Sequence, residues 1–256
     1  MVFENLHSRR TFLRRTALAT AFVTVLPELI AKAAPQADDA SAPRKKMILF
    51  QGDSITDCGR SRTPNTGAPM GQGYPVLVSS RLMADFPQLN LRCLNRGISG
   101  HKITDLAARW QTDTLDLNPD YLSILVGIND VFNFINGNPA FSADKYYSDY
   151  KDLLDKTIAK NPSVKLILCE PFLLLSENQK KTITRHIGEL QKRQEIVRKL
   201  VAEYNATFVA IQEPLTEACK NAPAEYWSAD AVHPTFAGHE IIAREWIKAT
   251  KTLFKS

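Results

Sequence analysis

Three residue types, a serine near the start and an aspartate–histidine pair near the end of the chain, have the chemistry to cleave an ester together. Ser54 stands in Gly52-Asp53-Ser54, directly after the apolar run at 46–51. A serine hydroxyl is a weak nucleophile until a neighbouring base takes its proton. The histidines are His7, His101, His186, His233 and His239. His233 is set apart by Asp230 three residues before it and Pro234 directly after it. A loop of that length lets the carboxylate accept from one imidazole nitrogen while the other faces Ser54, the orienting role of the acid in a catalytic triad. Pro234 fixes the chain and can open a helix. A tetrahedral intermediate also needs donors for its oxyanion. The candidates are the Ser54 N–H, the Gly97 N–H, which no side chain shields, and the Asn129 side-chain amide. Asp53, beside the nucleophile, and Trp227, just ahead of the Asp–His loop, are the candidate substrate-binding residues. A bulky Trp227 near the serine would restrict the acyl group to acetyl. Tyr226, Trp227 and the Phe/Asn-rich stretch 131–141 offer ring faces and amides that suit sugar rings.

Each feature also has a plain structural reading. Gly52-Asp53-Ser54 is equally a turn or a helix start, Gly97 a turn glycine and Asn129 a helix cap. His239 reads as packed on the last helix, and His101 and His186 as surface residues. The catalytic reading rests on where these residues fall relative to the secondary structure.

Five short runs, 46–51, 91–95, 121–126, 164–169 and 207–211, are rich in Leu, Ile, Val or Phe with little polar alternation. That pattern predicts strands covered on both faces, as in a parallel sheet. Between them, 74–85, 104–116, 143–160, 189–204 and 235–254 carry apolar residues at helical spacing. Alternating strands and helices predict a three-layer α/β/α sandwich around a five-stranded parallel sheet, flavodoxin-like in class. Sites in such sheets lie beyond the carboxyl ends of the strands. Ser54, Gly97, Asn129 and the Asp230–His233 pair each follow a different strand, so they converge on one edge.

The chain has 256 residues, 44% hydrophobic and 23% charged, enough for one globular domain. Ser8-Arg9-Arg10-Thr11-Phe12-Leu13, the apolar stretch from Ala17 to Leu26 and Ala31-Lys32-Ala33 read as a twin-arginine export signal over 1–33. The expected location is therefore periplasmic or extracellular. Residues 34–45 read as a linker and 46–256 as the catalytic domain. Residues 1–33 hold five basic and two acidic side chains, so their removal lowers the net charge from +5 to +2. Basic residues are scattered through the remainder, which gives no reason to expect nucleic acid as a partner, and no membrane partner is expected after the signal is removed. Cys58, Cys93, Cys169 and Cys219 show no metal-ligand spacing; their disulfide state and the oligomeric state, a homo-oligomer included, stay open.

The blocks Gly52-Asp53-Ser54, Gly97, Gly127-x-Asn129-Asp130 and Asp230-x-x-His233 together resemble the SGNH hydrolases, or GDSL family, over about residues 46–250. The resemblance implies Ser54 as nucleophile, His233 as base, Asp230 as its acid, and Ser54 N–H, Gly97 N–H and Asn129 as oxyanion donors. It implies ester hydrolysis through an acyl-enzyme, with no metal and no cofactor. The stretches GDSITDCGR, GQGY, NRGISG, DLAARW, GINDV and HPTFAGH are similar to the branch that includes bacterial acetylxylan esterases. That implies an acetylated sugar or oligosaccharide as substrate. A lysophospholipase or thioesterase and a non-catalytic sugar-binding protein are the alternatives.

Overall fold

The structure, a computed structural model, describes residues 45–63 and 68–254. The readings of an export signal and a linker fall on residues 1–45 and so lie, but for Lys45, outside the described residues. Five parallel strands form the sheet: β1 Met47–Gly52, β2 Arg92–Asn95, β3 Tyr121–Leu125, β4 Lys165–Cys169 and β5 Thr207–Val209. Their order is β2-β1-β3-β4-β5. The order reverses beside β1, and the chain leaving β1 therefore enters the crevice where doubly wound sheets place their ligands.

Both faces of the sheet are covered, which explains the unbroken apolar runs. Ile48, Phe50, Ile167 and Cys169 point to one face, Leu49, Leu122, Leu166 and Leu168 to the other. The first face packs under α2 (Tyr74–Asp85) and α10 (Phe236–Thr250) through Val78, Leu82, Ile242 and Trp246. The second packs under α3 (Ile103–Trp110), α5 (Ala143–Lys160) and α7 (Thr184–Tyr204) through Leu106, Trp110, Tyr150, Leu153 and Val197. Trp246 is fully buried against Phe50 and donates its indole N–H to Ser123 Oγ at 2.9 Å. Truncating a buried Trp of this kind costs about 3–5 kcal/mol. It also closes the helix that follows the Asp–His loop onto the strand that precedes Ser54.

Helices expected at 74–85 and 143–160 stand at those residues. The one expected at 104–116 is α3 followed by a single π-helical turn, Gln111–Leu115, and the one expected at 189–204 begins five residues earlier. The Phe/Asn-rich stretch 131–141 is not a sugar-facing loop. Its first half belongs to α4 (Ile128–Ile135), which buries Ile128 and Val131; Phe141 is buried, and Phe132 packs on the core. The short helices α1 (Ser54–Asp57), α6 (Glu177–Thr182), α8 (Gln212–Ala218) and α9 (Ala224–Trp227) complete the element order. Among the described residues, no helix is long and apolar enough to cross a membrane. The four cysteines are free thiols.

Candidate active site

Ser54 is the first residue of α1, a single turn that starts as soon as β1 ends. Asp53 caps that turn: its Oδ1 accepts the Ile55 N–H at 3.0 Å. Asp53 is only 1% exposed. Its burial pushes its pKa up to about 7, against the Ile55 N–H and the nearby His233, which favour the anion. The expectation that Asp53 touches substrate is thereby corrected, because a buried cap has no face left for a ligand. What it holds is the turn carrying the nucleophile.

Ser54 Oγ lies 2.8 Å from His233 Nε2, and His233 Nδ1 lies 2.6 Å from Asp230 Oδ2. With Nδ1–H donating to the carboxylate, Nε2 is left as the acceptor for the serine hydroxyl. Asp230 Oδ1 accepts the backbone N–H of Val232 at 3.0 Å and of His233 at 2.7 Å. Partial burial raises the Asp230 pKa, but these amides and the imidazole outweigh it and hold the carboxyl below its ordinary value. Asp230 is an anion at neutral pH.

The loop 228–234 tucks Ala231 and Val232 onto the core and fixes the rest of its geometry by hydrogen bonds. Ser228 and Pro234 form an antiparallel bridge at its neck. The His233 carbonyl accepts from Ala229 N–H at 3.0 Å and from Ser228 Oγ at 3.1 Å, and the Ala231 carbonyl accepts from Leu174 N–H at 2.8 Å. Ala231 sits at φ 74°, the left-handed region that a side chain disfavours. Thr235 then caps α10 by accepting the Gly238 N–H, so the tight loop passes directly into a packed helix.

A cleft of about 520 Å³ opens over Ser54, with Asn129, Ser99, Gly100, His233 and Pro234 among its walls. Asn129 Nδ2 donates one hydrogen to the His101 carbonyl at 3.1 Å, leaving its second N–H for a ligand. Gly97 is not brought to this cleft. Its N–H donates to Asn95 Oδ1 at 2.9 Å, and a Cβ on it would stand 2.5 Å from the Asp57 nitrogen. Its glycine answers a packing need against α1. Gly100, three residues on, does line the cleft at φ +80°, and among the described residues its N–H has no hydrogen-bond partner. The reading of Gly97 as a donor chose the glycine nearer the strand end; the signal that would have separated the two is Asn95, whose short amide reaches forward to the first.

Trp227 is also absent from the cleft walls. Its indole N–H donates to the Ala222 carbonyl at 3.2 Å, its ring meets Tyr226 edge-on, and it packs on the core. The expected limit on acyl size does not come from Trp227. His239 is packed as expected, with Nδ1 accepting the Tyr74 N–H and Nε2 3.4 Å from Cys58 Sγ. Burial lowers its pKa to about 4, so it is a neutral wall of the cleft. His101 and His186 are half-buried, His101 accepting from Arg109 Nε and His186 packing on Phe132. Asp130, next to Asn129, is buried; its Oδ1 anchors the Ile103 N–H at the start of α3, and burial pushes its pKa up to about 7. A smaller cavity between 173–177 and 212–225, about 390 Å³, lies away from the triad and carries none of its residues.

The arrangement has the chemistry to serve as a nucleophile, a base, an orienting acid and a set of oxyanion donors. The model of the GDSL-like lipase/acylhydrolase family matches residues 50–241. The acetylxylan esterase of Geobacillus stearothermophilus is 36% identical over 209 residues, 79% of this chain and 93% of its own. Its crystal structure superposes with a TM-score of 0.70 at 34% identity, covering 80% of this chain and 93% of that one. Forms of that esterase described as catalytic mutants replace a serine, an aspartate or a histidine by alanine. A protein described as a GDSL-like lipase, from Parabacteroides merdae, superposes with a TM-score of 0.75 at 36% identity, over 82% of this chain and 98% of that one. The chain belongs to the GDSL-like lipase/acylhydrolase family and is a carboxylic ester hydrolase.

Proposed function

We propose that this hydrolase is a carbohydrate O-acetylesterase acting through an acetyl-enzyme on Ser54. The observation that carries the reading is the continuous hydrogen-bonded path Ser54–His233–Asp230, at 2.8 and 2.6 Å, opening on the cleft. His233 Nε2 takes the Ser54 proton as Oγ bonds to the ester carbonyl carbon. The carbonyl oxygen, now negative, is received by the N–H groups of Ser54 and Gly100 and by the Asn129 amide. The intermediate collapses, and the proton on His233 passes to the leaving sugar hydroxyl. A water then attacks the acetyl-enzyme with His233 again as base, releasing acetate and restoring Ser54. Asp230 stabilises the imidazolium at each turn.

An acetyl group is favoured over a long acyl chain because the walls beside Ser54 are mostly short or polar: Gly59, Gln72, Ser99 and the Cys58–His239 pair, with Ile55 and Pro234 as the aliphatic side chains. The likeness to an acetylxylan esterase supports a sugar as the alcohol. The test is hydrolysis of 4-nitrophenyl esters from acetate to octanoate, then of acetylated xylo-oligosaccharides. Acetate should be preferred and the oligosaccharides deacetylated. Rates that climb with chain length would move the substrate to lipids, and no turnover of any ester would leave a sugar-binding protein.

We also propose export by the twin-arginine route, on the strength of Arg9, Arg10 and the apolar stretch behind them. Replacing both arginines by lysine should trap the protein in the cytoplasm in a fractionation experiment; continued export would refute the route.

A further inference from the structure

Beside the triad the fold gathers positive charge that ester hydrolysis does not use. Arg60 and Arg62 follow α1, Arg96 follows β2, and Arg109 stands on α3, yet the four face one another around Asp57 and Asp113. Lys102 is close by and is matched by Asp105. Burial first, and then Arg62, Arg96 and Arg109 acting against Asp57, holds the Arg60 pKa below its ordinary value, a direct sign of crowded like charge.

Arg62 and Arg109 are each one side chain away from the cleft, and Arg96 joins them through Asp113. Asp57 Oδ2 accepts Arg62 Nη2 at 2.6 Å and also the amide and hydroxyl of cleft-lining Ser99, each at 3.0 Å. His101, which follows cleft-lining Gly100, accepts Arg109 Nε through Nδ1, while its carbonyl holds the Asn129 side chain. Two of the four guanidiniums remain open to solvent, Arg62 at 53% and Arg96 at 37% exposure. Arg96 makes no side-chain hydrogen bond among the described residues. Its ion pair with Asp113 is stretched to 3.9 Å, and its buried Nε has no partner. Arg60 and Arg109 knit loops together; Arg62 and Arg96 have donors to spare. A guanidinium with free donors matches a carboxylate two bonds at a time, and a neutral acetylated sugar has no group that needs it.

We propose that the arginine cluster beside the cleft, through the open guanidiniums of Arg62 and Arg96, receives a carboxylate on the sugar chain, so that the preferred substrate is an acetylated oligosaccharide that also carries a uronic acid. This rests on the reading of the chain as a sugar acetylesterase.

The test compares kcat/KM on two acetylated xylo-oligosaccharides, one with a uronic acid substituent and one without, for the wild type, Arg62→Gln and Arg96→Gln, with thermal melts to confirm folding. At about 10 mM salt, where screening is weak, the acidic substrate should be favoured by about tenfold, equivalent to about 1.4 kcal/mol. That preference should shrink at about 0.5 M salt and fall toward one in both variants. Equal turnover of the two substrates by the wild type, or a preference that survives both substitutions, would overturn the proposal. If neither sugar is deacetylated while 4-nitrophenyl acetate is, the acetyl-sugar reading fails on its own. The anion site is then judged by inhibition of that hydrolysis. Stronger inhibition by glucuronate than by glucose, weakened in Arg96→Gln, would support it, and equal inhibition would overturn it.

Discussion

The two halves of the triad are held by opposite means. Ser54 rises from the end of a strand whose residues are all buried, on a turn capped by a carboxylate that is itself buried. Asp230 and His233, with side chains 56% and 50% exposed, stand on a surface loop that meets the core only between them, through Ala231 and Val232. The nucleophile's position is defended by packing, which resists change because interiors are as dense as crystals. The base's position is defended by a set of directed hydrogen bonds closed at the Ser228–Pro234 bridge. Substitutions on the serine side should therefore trade stability against activity. Those on the loop side should cost activity with the fold intact.

The sharpest way to break this contrast is at Asp230. Asp230→Asn removes the acceptor that orients His233 and should lower kcat by roughly ten-thousand-fold. Its melting temperature should stay within a few degrees of the wild type, because the group is exposed. An unfolded variant would show that the loop does bear on the fold. Next in size, Asn129→Ala removes one oxyanion donor and should cost roughly a hundred- to a thousand-fold in kcat while KM changes little, read from steady-state kinetics with 4-nitrophenyl acetate. On the buried side, Asp53→Ala removes a helix cap and should lower stability by about 1 kcal/mol in denaturant titration, with activity falling as the Ser54 turn loosens. Ser228→Ala removes one of the two bonds to the His233 carbonyl and should give the smallest effect, a loss of about 1 kcal/mol seen as a few-fold drop in kcat with unchanged fold.

A pH experiment sharpens the same contrast. Asp130 has a folded pKa of about 7, raised above the ordinary carboxylate value by burial. Its contribution to stability is present in full below the unfolded value and is lost as pH rises through the folded one. Asp230 has the opposite sign, since its lowered pKa gives stability above the unfolded value that is lost as pH falls through the folded one. Asp130→Asn should therefore gain stability relative to the wild type as pH goes from about 4 to about 7, by about 1.4 kcal/mol per unit. His239 titrates in the same window, with its pKa lowered to about 4, but it is common to both proteins and cancels in the difference. A difference curve that stays flat would mean that Asp130 is ionised in the fold.

The strands were legible because residues buried on both faces leave an unbroken apolar run, as at Met47–Phe50. The triad was legible because Asp230 and His233 are near neighbours and Ser54 directly follows a strand. What the sequence hid has physical causes. The helix Ile128–Ile135 is short and bounded by Gly127 and a Gly/Asn/Pro stretch, so loop signals outweighed its apolar spacing. Gly97 and Gly100 share one hexapeptide, and only the reach of Asn95 decides which N–H stays free. Asp53 and Trp227 look like ligands in the chain because burial has no local signature. The cationic edge was invisible because Arg60, Arg62, Arg96 and Arg109 come from three separate segments that meet only when the sheet forms.

The central claim is that Ser54, activated by His233, attacks the ester. It is tested most directly by treating the protein with a fluorophosphonate ester and mapping the adduct by mass spectrometry while activity is followed. The account predicts a single phosphonylated residue, Ser54, formed in step with the loss of esterase activity, greatly slowed in His233→Ala and absent in Ser54→Ala. A different labelled residue, or a Ser54→Ala protein that hydrolyses 4-nitrophenyl acetate at the wild-type rate, would contradict it.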